Sequence, residues 1–290
     1  MQGYRAERPA VVAADEGRHP PGPGRAWEES WYLDFAAADG SLGGYVRLAL
    51  RPGDRVAWFW AGVVGAGPRL VTVRDDEVPP PSGRALEVRA SGLWTELVCE
   101  TPMEHWSVGL EAFGVALDDP LEAWGQERGD PCALGLDVEW EALGPPSPWP
   151  GGGAVGYSQA CAVSGDLLVG TRRVQLDCTG VRAHLWGDRD WGAPSSWAAG
   201  VLADGTAFSA TGPSGDASLA VDADGLLVSG EIRTPASDGS DGSDGPDLSA
   251  TALAHAPVLV PGRGRLARAL CRYDAADGRR GFGWAERLGG

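Results

Sequence analysis

The chain has 290 residues, 43% of them hydrophobic, enough to bury a sizeable core as one large domain or two ordinary ones and too many for wholesale disorder. Its 24 basic residues are all Arg and face 40 Asp and Glu; a formal charge of −16 with no basic stripe argues against a nucleic-acid partner. No run approaches the ~18 apolar residues of a membrane helix. The five Cys are scattered without CxxC or Cys/His spacing, which points to a reducing cytoplasm and to no zinc site.

Residues 1–26, which include HPPGPGR, read as a disordered leader without the apolar stretch of a secretory signal. From Trp27 the texture changes to short apolar runs of period two. WYLDF (31–35), GYVRLAL (44–50), VAWFWAGVV (56–64), RLVTV (69–73), LEVRA (86–90), LWTELVCE (93–100) and HWSVGLEAFGVAL (105–117) are predicted strands. Turn clusters such as ADGS, RPGD and PPPSG separate them. DDPLEAWGQ (118–126) is a predicted short helix, with Asp119 as cap and Pro120 at its first position. GLDVEWEAL (135–143) adds another strand, and GPPSPWPGGG (144–153) reads as a linker. The same strand texture then resumes, with Asp-Gly hairpin signals in LADGTAF, DADGLLV and YDAADGRRGFGW. SDGSDGSDGPD (237–247) has carboxylates spaced somewhat like a calcium loop but no closing Glu, so it reads as a flexible loop, and no metal is expected. The chain therefore predicts an all-β protein with a β domain at 27–143 and a second at 154–290, each a barrel or sandwich.

The densest functional cluster is VRAHLWGDRDWG (181–192), with one of only four His, two Trp, two Asp and an Arg between His184 and Trp191. In an extended strand His184, Trp186, Asp188 and Asp190 share a face, unless Gly187 breaks the register with a bulge. A His beside a carboxylate suits proton donation near neutral pH, and indole faces can stabilise positive charge on carbon. The structural alternative is that the indoles fill a barrel and that both Asp residues neutralise Arg189 or Arg182. His105 and Trp106 line or rim the first domain, while His255 and His19 have no partners in sequence. No GxGxxG, P-loop or GxSxG pattern occurs, so no nucleotide site or serine hydrolase is indicated and no cofactor is expected.

At this motif the sequence resembles the AttH-like and carotenoid 1,2-hydratase-like superfamily, which includes hydroxyneurosporene synthase. HLWGDRDWG is similar to its H-x-W-G-x-R-D-W signature, GYSQACAVSGDLLVG to the opening of its second domain, and GFGWAE to its closing strand. In the first half ESWYLDF, GGYVRLALRPG, ETPMEHWSVGLEAFGVALDDP and LGLDVEWEAL fit the partner domain. The resemblance implies tandem lipocalin-like β-barrel domains with an apolar cavity near their interface. It also implies kinship with hydratases of acyclic carotenoids and, more distantly, with cyclases of polyketide chains. It carries acid–base roles onto His184 and Trp186; Asp190 and Trp191 match the signature too, while Asp188 stands at a variable position and Leu185 departs from the usual small polar residue.

The expected function is a cofactor-independent lyase or cyclase that protonates a carbon–carbon double bond of an apolar isoprenoid or polyketide. His184, Trp186, Asp188 and Asp190 are the candidate catalytic residues; Trp191, Trp197, Trp284, Trp106 and Tyr157 are the candidate substrate wall. The cavity expected is ~300–1,000 Å³, bordered by at least two of Trp186, Trp191, Trp197 and Trp284. The alternatives are a non-catalytic lipocalin-like carrier of a fatty or terpenoid ligand, and a structural subunit with no ligand.

Overall fold

Period-two alternation interrupted by Asp-Gly and Pro-Gly turns can only build antiparallel strands with short connections. A computed structural model, which describes residues 11–149, 154–212, 216–235 and 244–289, has this form, with no α-helix among the described residues. The first eight strands are β1 (Trp27–Ala37), β2 (Gly43–Arg51), β3 (Val56–Val64), β4 (Leu70–Val78), β5 (Leu86–Ala90), β6 (Leu93–Thr101), β7 (His105–Leu117) and β8 (Asp130–Ala142). The short β9 (Ser147–Pro148) and the long β10 (Ala154–Val169) and β11 (Arg172–Asp188) follow.

These strands make one sheet in the order β4-β3-β2-β1-β11-β10-β8-β7-β6-β5. Leu70–Thr72 of β4 also pairs with Val115–Leu117 of β7, which closes a ring of eight strands and leaves the β5–β6 hairpin as an extension. An eight-strand barrel is just wide enough for its interior to be filled by side chains. Here Trp31, Leu33, Phe35, Phe59, Trp106 and Trp140 occupy it, all nearly inaccessible.

The second sheet comprises β12 (Ser195–Leu202), β13 (Ala207–Gly212), β14 (Ala217–Val221), β15 (Leu227–Pro235), β16 (Asp244–His255), β17 (Val258–Val260), β18 (Gly264–Ala275) and β19 (Arg280–Leu288). Its order is β13-β12-β19-β18-β16-β15-β14, with β17 paired to β18. Phe208 and Ala210 of one edge strand share a core with Ala217 and Leu219 of the other, so the sheet wraps into a barrel-like shape. Ser196 Oγ donates to the Ala217 carbonyl (2.8 Å) where the edges meet. The fold is thus two lipocalin-like barrels in tandem.

Three sequence expectations are corrected. The boundary between the sheets lies at residues 189–194, not at 144–153, because β10 and β11 fill the gap between β8 and β1 and complete the first barrel. The described part of the expected linker folds back on β10, with Pro148 opposite Tyr157 and Trp149 N–H bonded to the Gly156 carbonyl (2.8 Å). The predicted helix is a single 3-10 turn, Pro120–Trp124, whose Asp119 side chain accepts from Leu121 N–H and whose Trp124 enters the second core. Residues 11–26 of the expected disordered leader are placed against the first barrel, for electrostatic reasons given below. Most of the acidic stretch 237–247 lies outside the described residues.

The seam between β1 and β11 leaves no room for a side chain at Gly180, where a Cβ would lie 2.0 Å from the Asp34 carbonyl oxygen. Gly180→Ala is expected to force these strands apart and cost about 2–4 kcal/mol, the range of severe core disruptions. Denaturant unfolding measures this, with Gly205→Ala, whose Cβ meets nothing within 4 Å but whose φ is +85°, as a comparison for backbone strain alone.

Candidate functional site

Alternation sends successive residues of β1 to opposite sides. Glu29, Trp31, Leu33 and Phe35 face the interior of the first barrel, while Glu28, Tyr32 and Asp34 face the second barrel. On β11, Arg182, His184 and Trp186 share the interior face. The register sets Trp31 opposite His184 and Leu33 opposite Arg182 on one side, and Tyr157 opposite His184 and Gln159 opposite Arg182 on the other. His184 is therefore walled by aromatic rings: Trp31 stacked at 4.5 Å, Trp186 at 5.1 Å and Tyr157 edge-on at 6.0 Å.

The carboxylate that meets His184 comes from β1. Nε2 lies 3.1 Å from Glu29 Oε1, and Nδ1 lies 2.8 Å from the Asp15 carbonyl oxygen. The same Glu29 oxygen accepts from His19 N–H (2.8 Å) and stands 2.9 Å from His19 Nδ1; the His19 ring stacks on Trp186 at 3.8 Å. A neutral imidazole can donate from one nitrogen only, so His184 fills both contacts only as the imidazolium. Burial opposes this and pulls its pKa below the ordinary value, against the upward pull of Glu29. Nitrogen and oxygen atoms of His19, Glu29 and His184 also lie within 4.8 Å of one another, a donor set that a divalent cation could bridge.

Beside this triad the 3-10 turn Ala13–Glu16 sinks one carboxylate into the barrel. Glu16 Oε1 accepts from Arg182 Nη2 (2.7 Å) and Met103 N–H (2.7 Å); Oε2 accepts from Arg182 Nη1 (3.0 Å), Trp106 Nε1 (3.1 Å) and the Tyr157 hydroxyl. Burial pushes the Glu16 pKa up, but Arg182 and Tyr157 outweigh it and hold the carboxyl below its ordinary value. A cleft of about 70 Å³ opens next to the cluster, bordered by Arg18, His19, Trp27, Glu29 and Arg51. That is far below the ~300 Å³ of a typical small-molecule site.

The opposite face of the seam carries a second buried network. Glu28 accepts from Arg47 (2.8 Å), Arg51 (2.8 Å) and Trp191 Nε1 (2.7 Å), and the Arg189 guanidinium lies 3.9 Å over the Trp191 ring. Arg268 pairs with Glu286 and lies 4.1 Å over Tyr45. Asp34 accepts Val181 N–H (2.7 Å) there, and burial raises its pKa to about 7 against the opposing pull of that bond.

The structure divides the residues singled out from the sequence. His184, Trp186, Trp106 and Tyr157 come together around the Glu29 and Glu16 carboxylates. Asp188 and Asp190 do not join them: both are exposed, Asp188 packs by Gly24, and Asp190 accepts Gly192 N–H in a turn (2.8 Å). The shared face ends because β11 stops at Asp188, after Gly187 at φ +124°. Trp191, Trp197 and Trp284 are buried in the cluster between the barrels, their indole N–H groups given to Glu28, Ser209 and the Phe35 carbonyl. None of these three, nor Trp186, borders the described cleft. Sequence reasoning missed Glu29, Glu16, Gln159 and the role of Arg182. The spacing of Arg182 to His184 and the parity of Glu29 with Trp31 were the available signals.

A family model described as "Domain of unknown function (DUF7064)" matches residues 12–237. No curated protein matches the sequence. Among solved structures, the chain is similar to a Nitrosomonas europaea protein solved under the AttH name, with 14% identity, TM-score 0.59, and 94% of this chain and 99% of that one covered. It is similar to kievitone hydratase of Nectria haematococca, with 10% identity, TM-score 0.57 and coverage of 98% and 94%. It is also similar to CghA solved with Sch210972, with 13% identity, TM-score 0.52 and coverage of 90% and 88%. At these identities the likeness establishes the fold alone.

A raised carboxyl pKa makes stability depend on pH in a fixed direction. Asp34 stays protonated in the folded chain between its unfolded value, ~3.9, and about 7, whereas the unfolded chain has released the proton. Its contribution is thus fully present below the unfolded pKa and is lost as pH rises through about 7. Asp34→Asn keeps an acceptor for Val181 and removes the titration. Unfolding free energies at pH 5 and pH 8 are expected to show the variant gaining on the wild type as pH rises; a constant difference would contradict the assignment.

Proposed function

We propose that this chain, which belongs to the DUF7064 family, is a lyase or cyclase using general acid catalysis on a carbon–carbon double bond of an apolar isoprenoid or polyketide. The observation that carries this reading is the buried His184, held between Glu29 and a backbone carbonyl and surrounded by the rings of Trp31, Trp186 and Tyr157. The imidazolium N–H gives its proton to one alkene carbon, and the neighbouring carbon becomes cationic. Aromatic faces stabilise that charge. Water or a second double bond then supplies the electron pair, and the proton released from the new centre returns to His184 beside Glu29. Proton transfer of this kind needs no cofactor. Proteins of the same fold that are named as a hydratase, or were solved with a bound small molecule, lend support. The five free cysteines fit a reducing cytoplasm, and among the described residues no helix is long and apolar enough to cross a membrane.

A second reading, a carrier of a fatty or terpenoid ligand, is favoured by one observation: the Asp15 carbonyl covers His184 Nδ1, the nitrogen an acid would need free. Both readings share the pocket and differ in turnover.

The test is incubation with acyclic isoprenoids and polyketides, with mass spectrometry for the gain of one water or for an isomer of unchanged mass. His184→Ala is expected to lower turnover by ~10²-fold or more with the fold intact. Glu29→Gln is expected to fall in the same direction, and Asp190→Asn to leave turnover unchanged. Binding without conversion in the wild type would favour the carrier. Unchanged conversion in a destabilised His184→Ala would remove the catalytic role.

A further inference from the structure

The carboxylate of Glu16 is received by groups that all belong to the barrel wall. Arg182 comes from β11, Tyr157 from β10 and Trp106 from β7, and Met103 N–H from the turn before β7. These groups are held in place independently of Glu16. Arg182 is also bonded to Gln159 Oε1 and to Tyr157 Oη (3.1 Å), and Met103 presents its N–H from a left-handed backbone, φ 64°. Arg182 gives one nitrogen to each carboxylate oxygen, and the remaining donors divide between the same two oxygens. This matches a planar, two-oxygen anion. No other carboxylate is bonded to Arg182 among the described residues.

The segment that carries Glu16 has few other reasons to be there. Val12 is 52% exposed, and Ala13, Ala14 and Gly17 are exposed as well; within 12–18 Glu16 alone is buried. The segment pairs with no strand, and the linker PPGPG (20–24) joins it to β1. A segment retained for packing buries apolar side chains. This one is anchored through polar contacts: Glu16 on Arg182, the Asp15 carbonyl on His184, Arg18 on the Pro81 and Gly83 carbonyls, and His19, just beyond it, on Glu29.

We infer that the Arg182–Tyr157–Trp106 pocket is a receptor for the carboxylate of an apolar organic acid, and that Glu16 occupies it in place of that ligand. The inference deepens the proposed function and rests on it for its chemical consequence. Arg182 and His184 lie two residues apart on one face of β11, so a carboxylate seated on Arg182 brings the adjoining carbon skeleton to His184 Nδ1. The ligand's carboxylate displaces Glu16, the turn Ala13–Glu16 withdraws, and the Asp15 carbonyl leaves Nδ1 free. Trp31, Trp106 and Tyr157 supply the apolar wall. Arg18, His19 and Pro21, which follow the turn in sequence, line one side of the present cleft.

The experiment uses the full chain and cis-parinarate, a fluorescent polyene fatty acid, with its methyl ester as the uncharged control. Glu16→Ala is expected to bind parinarate about 10-fold or more tightly than wild type, since a tethered competitor acts at millimolar effective concentration. Adding Arg182→Met to Glu16→Ala is expected to lose about 10-fold or more of that affinity. The ester is expected to bind all three chains alike. Hydrogen exchange on the wild type supplies a readout independent of any variant's folding: parinarate is expected to speed exchange of the amides of residues 12–18, and the ester is not. Equal binding of parinarate by wild type and a cooperatively folded Glu16→Ala would overturn the inference. So would identical effects of acid and ester on exchange in the wild type. Neither readout involves turnover, so a failure of acid catalysis and a failure of carboxylate binding remain separate results.

Discussion

The pairing of β1 with β11 is the constraint on which the rest of the molecule depends. All of β1 but its last residue is buried, on both faces, so each alternate side chain is committed to one of two interiors. One set, Glu29, Trp31, Arg182 and His184, enters the first barrel. The other, Glu28, Tyr32, Asp34, Val181 and Ala183, meets the second. A slip of one residue would exchange the two sets and place every charge opposite the wrong partner. The seam is therefore specified by polar groups as much as by apolar ones.

Those polar groups are costly to bury singly and tolerable together. Removing one member of a buried ion pair commonly costs 3–5 kcal/mol, roughly the energy of leaving a charge without compensation. Glu28 answers Arg47 and Arg51 at once, and Glu286 answers Arg268. Guanidinium carbons lie 3.9–5.6 Å from the ring centroids of Trp58, Trp60, Trp191 and Tyr45, so the aromatic faces share the buried positive charge. The pair of Glu16 and Arg182 obeys the same rule inside the first barrel, with one difference. Its acidic partner sits on a segment with little other buried surface, so that pair can be exchanged for an external acid where the interface pairs cannot.

Much of the fold was legible because alternation is local. Runs such as VAWFWAGVV, and the Asp-Gly hairpins of the second half, declare strands without reference to anything distant. Parity also placed His184 and Trp186 on one face. It failed at Asp188 and Asp190 because a strand's end depends on what lies beyond it, here the exit after Gly187 that brings Arg189 N–H to the Ala26 carbonyl (3.0 Å). The partner of His184 was not legible at all: Glu29 lies 155 residues away, and the exposed Asp residues beside the motif were the nearer candidates in sequence. Residues 11–26 escape a reading from composition for a related reason. Their composition is that of a disordered chain, and their placement comes from a carboxylate, a carbonyl and a His whose partners are contributed by the barrel. The Pro/Gly stretch at 144–153 misled in the opposite sense, since a turn within one sheet can be as rich in these residues as a linker between two.

The central claim, that His184 is a buried acid governed by Glu29, is tested most directly by titrating its ring nitrogens. Imidazole nitrogen-15 NMR on the wild type and on Glu29→Gln, with His184→Gln to assign the signal, reports that proton itself. His184 is expected to titrate below the ordinary ~6.5 of histidine, because burial outweighs its partner, and to move lower still in Glu29→Gln, where the stabilising carboxylate is gone. A His184 that titrates at the ordinary value in both proteins, indifferent to Glu29, would contradict that claim.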